Sequence, residues 1–178
     1  MRVLVVYESM YGNTHAIAEH ISDGLRTQHE VLTASVRDSL ETVFDEFDLL
    51  VVGGPTHVHG VSTWATRKAA REAAEADDGL DLDPESGGLG LRDWFKTVAG
   101  HRNLAAAFDT RIDASAAMTG RASKGIARRL RHHGYRLLVE PESFLVDKQN
   151  HLLDGEAERA ERWGEMAARA LTAAMSTH

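Results

Sequence analysis

The chain has 178 residues, 43% of them hydrophobic, and we expect a single domain over residues 1–178 with a buried core. It contains no cysteine, which excludes disulfides, thiolate metal sites and cysteine nucleophiles and leaves any redox chemistry to a bound cofactor. Its formal net charge of −7 at pH 7 argues against nucleic-acid binding, because neutralising a phosphate backbone requires a surplus of Lys and Arg.

The first predicted element is a strand over residues 2–7, a short run rich in Val and Leu. Such a run is typical of a central parallel strand that is buried on both faces. It is too short for the apolar core of a signal peptide, and no other segment approaches the length of a membrane span. We therefore expect a cytoplasmic protein without a membrane span.

A loop with the sequence Tyr-Glu-Ser-Met-Tyr-Gly-Asn-Thr, residues 7–14, leads from this strand into a helix, where apolar residues recur four apart from position 17 to position 25. Gly12 lets the backbone approach a ligand or take a positive φ. A helix start presents unpaired N–H groups and the positive end of the helix dipole, so the loop is suited to a phosphate monoester. The alternative interpretation is a hydroxyl-rich turn in which Thr14 caps the helix.

A second glycine-rich loop, Gly-Gly-Pro-Thr-His-Val-His-Gly at 53–60, follows a third predicted strand over 49–52. Between the two loops, residues 30–36 predict a second strand near the sheet edge, and residues 39–44 predict a short helix. In a doubly wound sheet, ligands lie at the carboxyl ends of strands where the winding reverses, usually between the first and third strands. Both loops fall there.

The remaining pattern alternates between helices and strands. The elements are a helix from Ser62 or Thr63 to about Ala76, a helical segment over 92–98, a strand over 104–108, a helix within 121–136, a strand over 136–139 and 143–146, and a last helix after Asp154. Pro141 interrupts the fifth strand, because proline cannot donate to a ladder. The alternation predicts an α/β fold with a doubly wound five-stranded parallel sheet, order 2-1-3-4-5, and helices on both faces.

Two stretches differ in composition from the rest. Residues 77–91 are acidic and glycine-rich, and they predict a surface loop insertion. Residues 121–136 are rich in Arg, Lys and His around an apolar stripe, which predicts an amphipathic helix with a solvated basic face. The alternative for this basic face is docking of an acidic redox partner or of a nicotinamide-nucleotide phosphate.

The first loop departs from three other phosphate-handling patterns. It lacks the lysine of a P-loop, and Gly12 is its only glycine where a dinucleotide fingerprint needs three. A response-regulator receiver needs an acid at the end of the third strand, where this chain has Gly53.

No serine lies in a Gly-x-Ser-x-Gly motif, which disfavours a hydrolase.

The loop at 7–14 resembles the FMN phosphate loop of flavodoxin-like proteins, and the loop at 53–60 resembles the one that cradles their flavin ring. The resemblance implies a flavodoxin-like fold with FMN as cofactor. It implies that the first loop holds the phosphate, that the second contacts the ribityl chain and ring, and that a third loop after the fourth strand reaches the flavin. The implied cofactor-binding residues are Ser9, Met10, Tyr11, Gly12, Asn13, Thr14, Pro55, Thr56, His57, Val58, His59, Gly60, Asp109 and Thr110.

Histidines replace the usual aromatic flank of the flavin in the second loop, at His57 and His59. A cationic imidazole there would stabilise a reduced, anionic flavin and favour two-electron chemistry. By analogy with the resembling family, Gly60 would let a peptide carbonyl turn toward the flavin N5 proton. No residue is identified as catalytic, and no metal site is expected, because the His-x-His pair lacks further ligands at metal-site spacing.

The resemblance implies a redox protein that uses FMN for electron transfer or for reduction of a small acceptor such as a quinone. The expected partner is a redox protein or a small-molecule electron acceptor, with NAD(P)H as a candidate electron donor. The alternative is a non-catalytic interaction module of the same fold that has lost tight flavin binding.

Overall fold

A computed structural model of the chain describes residues 1–57, 60–76, 81–98 and 103–176. Its strands are β1 (Arg2–Tyr7), β2 (Glu30–Ser35), β3 (Leu49–His57), β4 (Gly60–Val61), β5 (Leu104–Ile112), β6 (Arg136–Leu137) and β7 (Glu142–Val146). Its helices are α1 (Asn13–Arg26), α2 (Trp64–Ala76), α3 (Leu91–Trp94), α4 (Ala116–Thr119), α5 (Ala122–His132) and α6 (Glu156–Ser176).

The sheet has the predicted doubly wound order, with β2, β1, β3 and β5 paired in parallel. The predicted fifth strand forms as two pieces on either side of Pro141. Both pair in parallel with β5, β6 beside its first residues and β7 beside residues 108–112. Sequence analysis did not predict β4, which pairs antiparallel with the end of β3.

Both faces of the sheet are covered, as the continuous apolar strands indicated. Leu4 and Val6 of β1 pack in one hydrophobic cluster together with residues of α3 and α5. Val3 and Val5 point to the other face and pack with residues of α1 and α6. Every one of these four side chains is fully buried, which explains why β1 shows no alternation of polar and apolar residues.

Two predictions about local structure were wrong. Residues 39–44 form no regular helix but parts of two short 3₁₀ turns, Asp38–Glu41 and Phe44–Glu46. The predicted fourth strand over 104–108 continues to Ile112, because β7 supplies ladder partners for the added residues. The extension places Asp109 and Thr110 inside a strand and not in a loop. No helix in the described parts of the chain is both long and apolar enough to cross a bilayer.

The helices α1 and α6 pack with their backbones in close approach. A Cβ atom added to Gly164 of α6 would overlap the carbonyl oxygen of Ile21, and one added to Gly24 of α1 would overlap that of Glu161. Two glycines therefore form the contact, and neither leaves room for a methyl group.

We expect Gly164→Ala to lower the free energy of unfolding by about 1 to 3 kcal/mol, because the new methyl group forces α1 and α6 apart. Urea denaturation followed by circular dichroism measures the change. Gly125→Ala in α5 is the matched control: its Cβ would meet no backbone atom but two side-chain atoms, Val61 Cγ2 at 3.3 Å and Arg129 Nη1 at 3.6 Å. The control should be neutral or gain up to about 1 kcal/mol from helix propensity, and equal losses in both variants would contradict the account.

Candidate functional site

The central strands end side by side. Tyr7 of β1 pairs with Gly53 of β3, and Gly53 pairs with Phe108 of β5. A side chain at Gly53 would overlap the Phe108 ring, so glycine is needed for this alignment. The loop after β1 and the last residues of β3 and β5 therefore converge at one edge of the sheet, as predicted.

A cavity of about 380 Å³ opens at this edge, within the usual size range of small-molecule sites. Its lining combines residues from the first loop, the ends of β3, β5 and β7, one side of α2 and the loop before α6. They are Tyr11, Pro55, Thr56, His57, Thr66, Ala69, Ala70, Thr110, Arg111, Ile112, Val146 and Asn150. Five of these were predicted site residues: Tyr11, Pro55, Thr56, His57 and Thr110.

The first loop ends at Gly12, which caps α1 in the left-handed conformation with φ 85°. The space where its side chain would lie is open, with no atom within 4 Å. Its N–H group donates to Ser9 Oγ at 3.1 Å, which tightens the turn. The interpretation in which Thr14 caps α1 is wrong, because Gly12 occupies the cap position. The first N–H groups of α1 have no intrahelical acceptor and are available to an anion.

The polar side chains of this loop bind other parts of the protein. Asn13 Nδ2 donates to the carbonyl oxygen of Asn150 at 2.7 Å, and the hydroxyls of Thr14 and Thr110 share a hydrogen bond of 2.7 Å. These contacts tie the start of α1 to the cavity wall. They leave the backbone N–H groups, rather than the side chains, as the open donors at the helix start.

The middle of the loop is anchored to two neighbouring segments. The Tyr11 hydroxyl donates to the carbonyl oxygen of Ala70 at 2.9 Å, and burial raises the pKa of this phenol. Met10 is buried, and its carbonyl oxygen accepts from the N–H group of Asp83 at 2.8 Å. Within the predicted insertion at 77–91, Asp83 and Leu91 are buried, whereas Asp81, Leu82 and Pro84 are exposed.

The second loop is largely the extended end of β3. The Thr56 hydroxyl donates to Asp109 Oδ2 at 2.6 Å and accepts from the N–H group of Ala122 at 2.9 Å. This pair of bonds links β3, β5 and the start of α5. Gly60 pairs with His57 in the β3–β4 hairpin, and open space lies where a Gly60 side chain would be. The predicted site residues Val58 and His59 lie outside the described residues.

His57 lines the cavity with its Nε2 atom buried and without a hydrogen-bond partner among the described residues. Burial lowers the pKa of its imidazole, the Glu8 carboxylate partly offsets this, and the Arg67 guanidinium lowers the pKa further. The imidazole is therefore neutral at pH 7. This environment opposes the expectation that His57 acts as a cation beside a reduced cofactor.

The first loop also contains a buried carboxylate that was not predicted. Glu8 is 6% exposed; one carboxylate oxygen accepts from the Ser62 hydroxyl, and the other accepts from the N–H group of Leu91 at 2.8 Å. Arg67 Nη1 in turn donates to Ser62 Oγ at 3.4 Å. A charged residue directly after a buried strand was the available signal, but its partners lie far away in sequence.

A second acidic group is fully buried at the sheet edge. Asp109 Oδ2 accepts from Thr56, whereas Oδ1 has no partner among the described residues. Arg111 Nε, on the cavity wall, is also buried without a partner. Together with His57 Nε2, these are three buried polar atoms without a partner among the described residues, although buried polar groups are almost always satisfied. Within the described residues, no group of three His, Asp or Glu side chains is placed to hold a metal ion.

Seven lining residues were not predicted. Arg111 and Ile112 follow Thr110 on β5. They reach the cavity because this strand is longer than predicted. Thr66, Ala69 and Ala70 come from α2, whose orientation over the cavity has no sequence signature. Val146 and Asn150 come from β7 and the turn after it, where Asn150 has φ 66°, a conformation that favours Asn over most residues.

Comparison with known proteins identifies relatives by family and by fold. A family model described as Flavodoxin matches residues 5–100. A flavodoxin from the domain Archaea superposes with a TM-score of 0.63 at 20% identity, covering 97% of this chain and 99% of that chain. Flavodoxin 1 from Bacillus cereus gives 0.63 at 17% identity, covering 95% and 98%. No curated protein sequence matches the chain.

The fold also occurs within a longer enzyme. Rubredoxin oxygen:oxidoreductase from Desulfovibrio gigas superposes with a TM-score of 0.64 at 18% identity, covering 97% of this chain but 36% of that chain. At these identities the structural likeness shows a common fold. The alignments with the two flavodoxins extend over nearly the whole length of both chains.

We expect the His57 imidazole to titrate below the usual histidine pKa of about 6.5 when followed by NMR over pH 4.5 to 8. Because the folded protein resists this protonation, its stability should fall as the pH drops through 6.5 toward the lowered pKa. The His57→Gln variant should lose less stability than the native protein over the same pH range. A His57 titration at or above about 6.5 would contradict the account of its environment.

Proposed function

Because the chain belongs to the flavodoxin family, we propose that it binds FMN at the carboxyl ends of β1, β3 and β5 and serves in electron transfer. The observation that carries this proposal is the adjacency of two features. An open helix start at Gly12 lies next to a cavity of about 380 Å³, and the Asn13–Asn150 hydrogen bond joins them. A ligand with an anionic group at one end and a flat ring system at the other fits this arrangement.

The phosphate end would lie against the start of α1. There the backbone N–H groups of Asn13 and Thr14 and the helix dipole attract a negative charge. The positive φ of Gly12 turns the backbone so that no side chain covers this position. The hydroxyl of Ser9 and the contacts of Asn13 and Thr14 hold the turn in shape before the ligand arrives.

The ring end would lie in the cavity between the ends of β3 and β5. Pro55, Thr56 and His57 form one wall, and Thr110 belongs to the other. His57 lines the cavity, and its imidazole would offer a hydrogen bond to a polar atom of the ring system, because a neutral imidazole can either donate or accept. Bound FMN supplies the one- and two-electron chemistry that no side chain of this cysteine-free protein provides.

The helix α2 forms a further wall of this site. Its residues Ala69 and Ala70 line the cavity, and the Tyr11 hydroxyl fastens the loop to the Ala70 carbonyl oxygen.

A second candidate function is the FMN-dependent reduction of a small acceptor such as a quinone. The observation that favours it is the lining of the cavity: of the described residues that form it, Tyr11 and His57 alone are aromatic. With few rings to cover the flavin, a small molecule has room to approach it. The non-catalytic alternative, an interaction module without tight flavin binding, predicts a colourless protein.

We expect the purified protein to bind FMN stoichiometrically and to show flavin absorbance, and the released ligand should have the mass of FMN. The Asn13→Ala/Thr14→Ala variant should bind FMN about tenfold or more weakly, because two hydrogen bonds that shape the phosphate loop are lost. Fluorescence titration of the apoprotein measures both affinities. His20→Ala on the same helix is the control, and an unchanged affinity in the double variant would refute the phosphate position.

The same FMN-loaded protein distinguishes the carrier from the reductase. We expect it to accept electrons from a reductase and pass them to a redox protein, while oxidising NAD(P)H only slowly when it is mixed with a quinone alone. Stopped-flow absorbance at the flavin bands measures both reactions. Rapid NAD(P)H oxidation with the quinone would instead establish the second candidate.

A further inference from the structure

A second cavity, of about 520 Å³, lies between α2, α3 and α5. Its lining is rich in cations and contains one carboxylate. It consists of Thr63, Trp64, Arg67, Arg92, Asp93, Phe95, Lys96, Arg129, His132 and His133. In a chain with a net charge of −7, such a concentration of positive charge in one concave place needs an explanation. We call this feature the basic cavity.

The single carboxylate of the basic cavity is already shared. Asp93 pairs with Lys96 at 2.7 Å and lies 3.8 Å from Arg67 Nη2. Within the described parts of the chain, neither Arg92 nor Arg129 forms an ion pair. Burial and the neighbouring charges of Arg92 and Arg128 lower the pKa of Arg129, which shows that its positive charge is poorly compensated. Two uncompensated guanidinium groups facing one cavity are typical of an anion site.

The position of Arg92 is fixed before any ligand binds. Its Nε atom donates to the carbonyl oxygens of Val61 and Ser62, at 3.0 and 2.9 Å. Its terminal nitrogens take part in no hydrogen bond among the described residues. Arg129 Nη1 contacts only a carbonyl oxygen of its own helix, that of Gly125 at 3.2 Å. Both groups are therefore free to donate to phosphate oxygens.

An exposed aromatic ring lies at the same cavity. Trp64 is 69% exposed, and the Lys68 ammonium lies 5.6 Å from the centre of its ring. Indole rings stack favourably on nucleotide bases, and this exposure leaves the ring accessible to one. Arginines and an open tryptophan in one concave site match the two halves of a nucleotide, whereas a protein partner would not require a cavity.

We propose that the basic cavity binds a nucleotide, with its phosphates on Arg92 and Arg129 and its base against Trp64. The site is separate from the proposed FMN site, although the two share the first turn of α2. Thr66 faces the FMN cavity, whereas Arg67 faces the basic cavity. The proposal does not depend on FMN binding.

Titration of the full chain with ATP, followed by tryptophan emission, tests the proposal. Trp64 is exposed, whereas Trp94 is buried between the lining residues Asp93 and Phe95, so the Trp64→Phe variant decides which ring gives the change in emission. We expect saturable quenching by ATP, no binding of adenosine at the same concentrations, and competition by inorganic phosphate only at far higher concentrations. The quenching should weaken as salt is added, because the contacts are ionic.

Variants locate the site. Arg129→Gln should weaken ATP binding at least tenfold, because one guanidinium contact is lost. Arg128→Gln, an exposed position on the same helix that does not line the cavity, should change it less than twofold. Trp64→Phe should abolish the emission change, and calorimetry then measures the remaining affinity. The Asn13→Ala/Thr14→Ala variant should bind ATP as the native protein does.

Several results would overturn the proposal. They are the absence of saturable ATP binding, equal effects of Arg128→Gln and Arg129→Gln, and loss of ATP binding in the Asn13→Ala/Thr14→Ala variant, which would place ATP in the FMN cavity. Binding of inorganic phosphate as tightly as ATP would reduce the site to a simple anion site. If ATP fails to bind and Arg129→Gln slows electron transfer to a redox protein, the surface serves protein docking instead.

Discussion

The parallel alignment of β1, β3 and β5 is the constraint on which the candidate site depends. Tyr7, Gly53 and Phe108 lie in one row across the sheet, and the Phe108 ring occupies the space above Gly53. A slip of one residue in any of these strands would turn buried side chains to the opposite face. The row also fixes where the phosphate loop starts and where the cavity walls end. Fold stability and site geometry therefore rest on the same backbone register.

The buried Glu8 carboxylate connects the end of β1 to two neighbouring segments of the chain. Its two oxygens are held by the Ser62 hydroxyl and the Leu91 N–H group, so one side chain joins the segments before α2 and at the start of α3 to the end of β1. A buried charge is costly unless such partners satisfy it. The same carboxylate acts on His57, where it partly offsets the lowering of the imidazole pKa by burial. Glu8 is thus a positioning residue for the β4–α2 connection and for the start of α3.

Sequence patterns predicted the fold and the two principal loops because those features are local. Apolar runs followed by glycine and hydroxyl residues mark strand ends. Gly12 lies at a helix start, where the lack of a side chain lets a ligand approach the backbone. The contributions of Glu8, Arg111 and Asn150 were not predicted, because their roles depend on partners distant in sequence. The length of β5 was also underestimated, since β7 supplies the ladder that extends it. Histidine at position 57 suggested a cation, whereas its burial in the folded chain, which the sequence does not indicate, lowers the pKa of the imidazole.

The glycine contact between α1 and α6 has a consequence for how the molecule reaches its native state. The helix whose start faces the proposed phosphate position is covered on its other side by a segment made much later in translation. Until that late segment docks, the part of α1 that contacts α6 stays open to water. Contacts between segments so far apart in sequence raise the contact order of the fold, which slows folding. A chain that emerges from the ribosome therefore cannot complete the cover of α1 until α6 has been made.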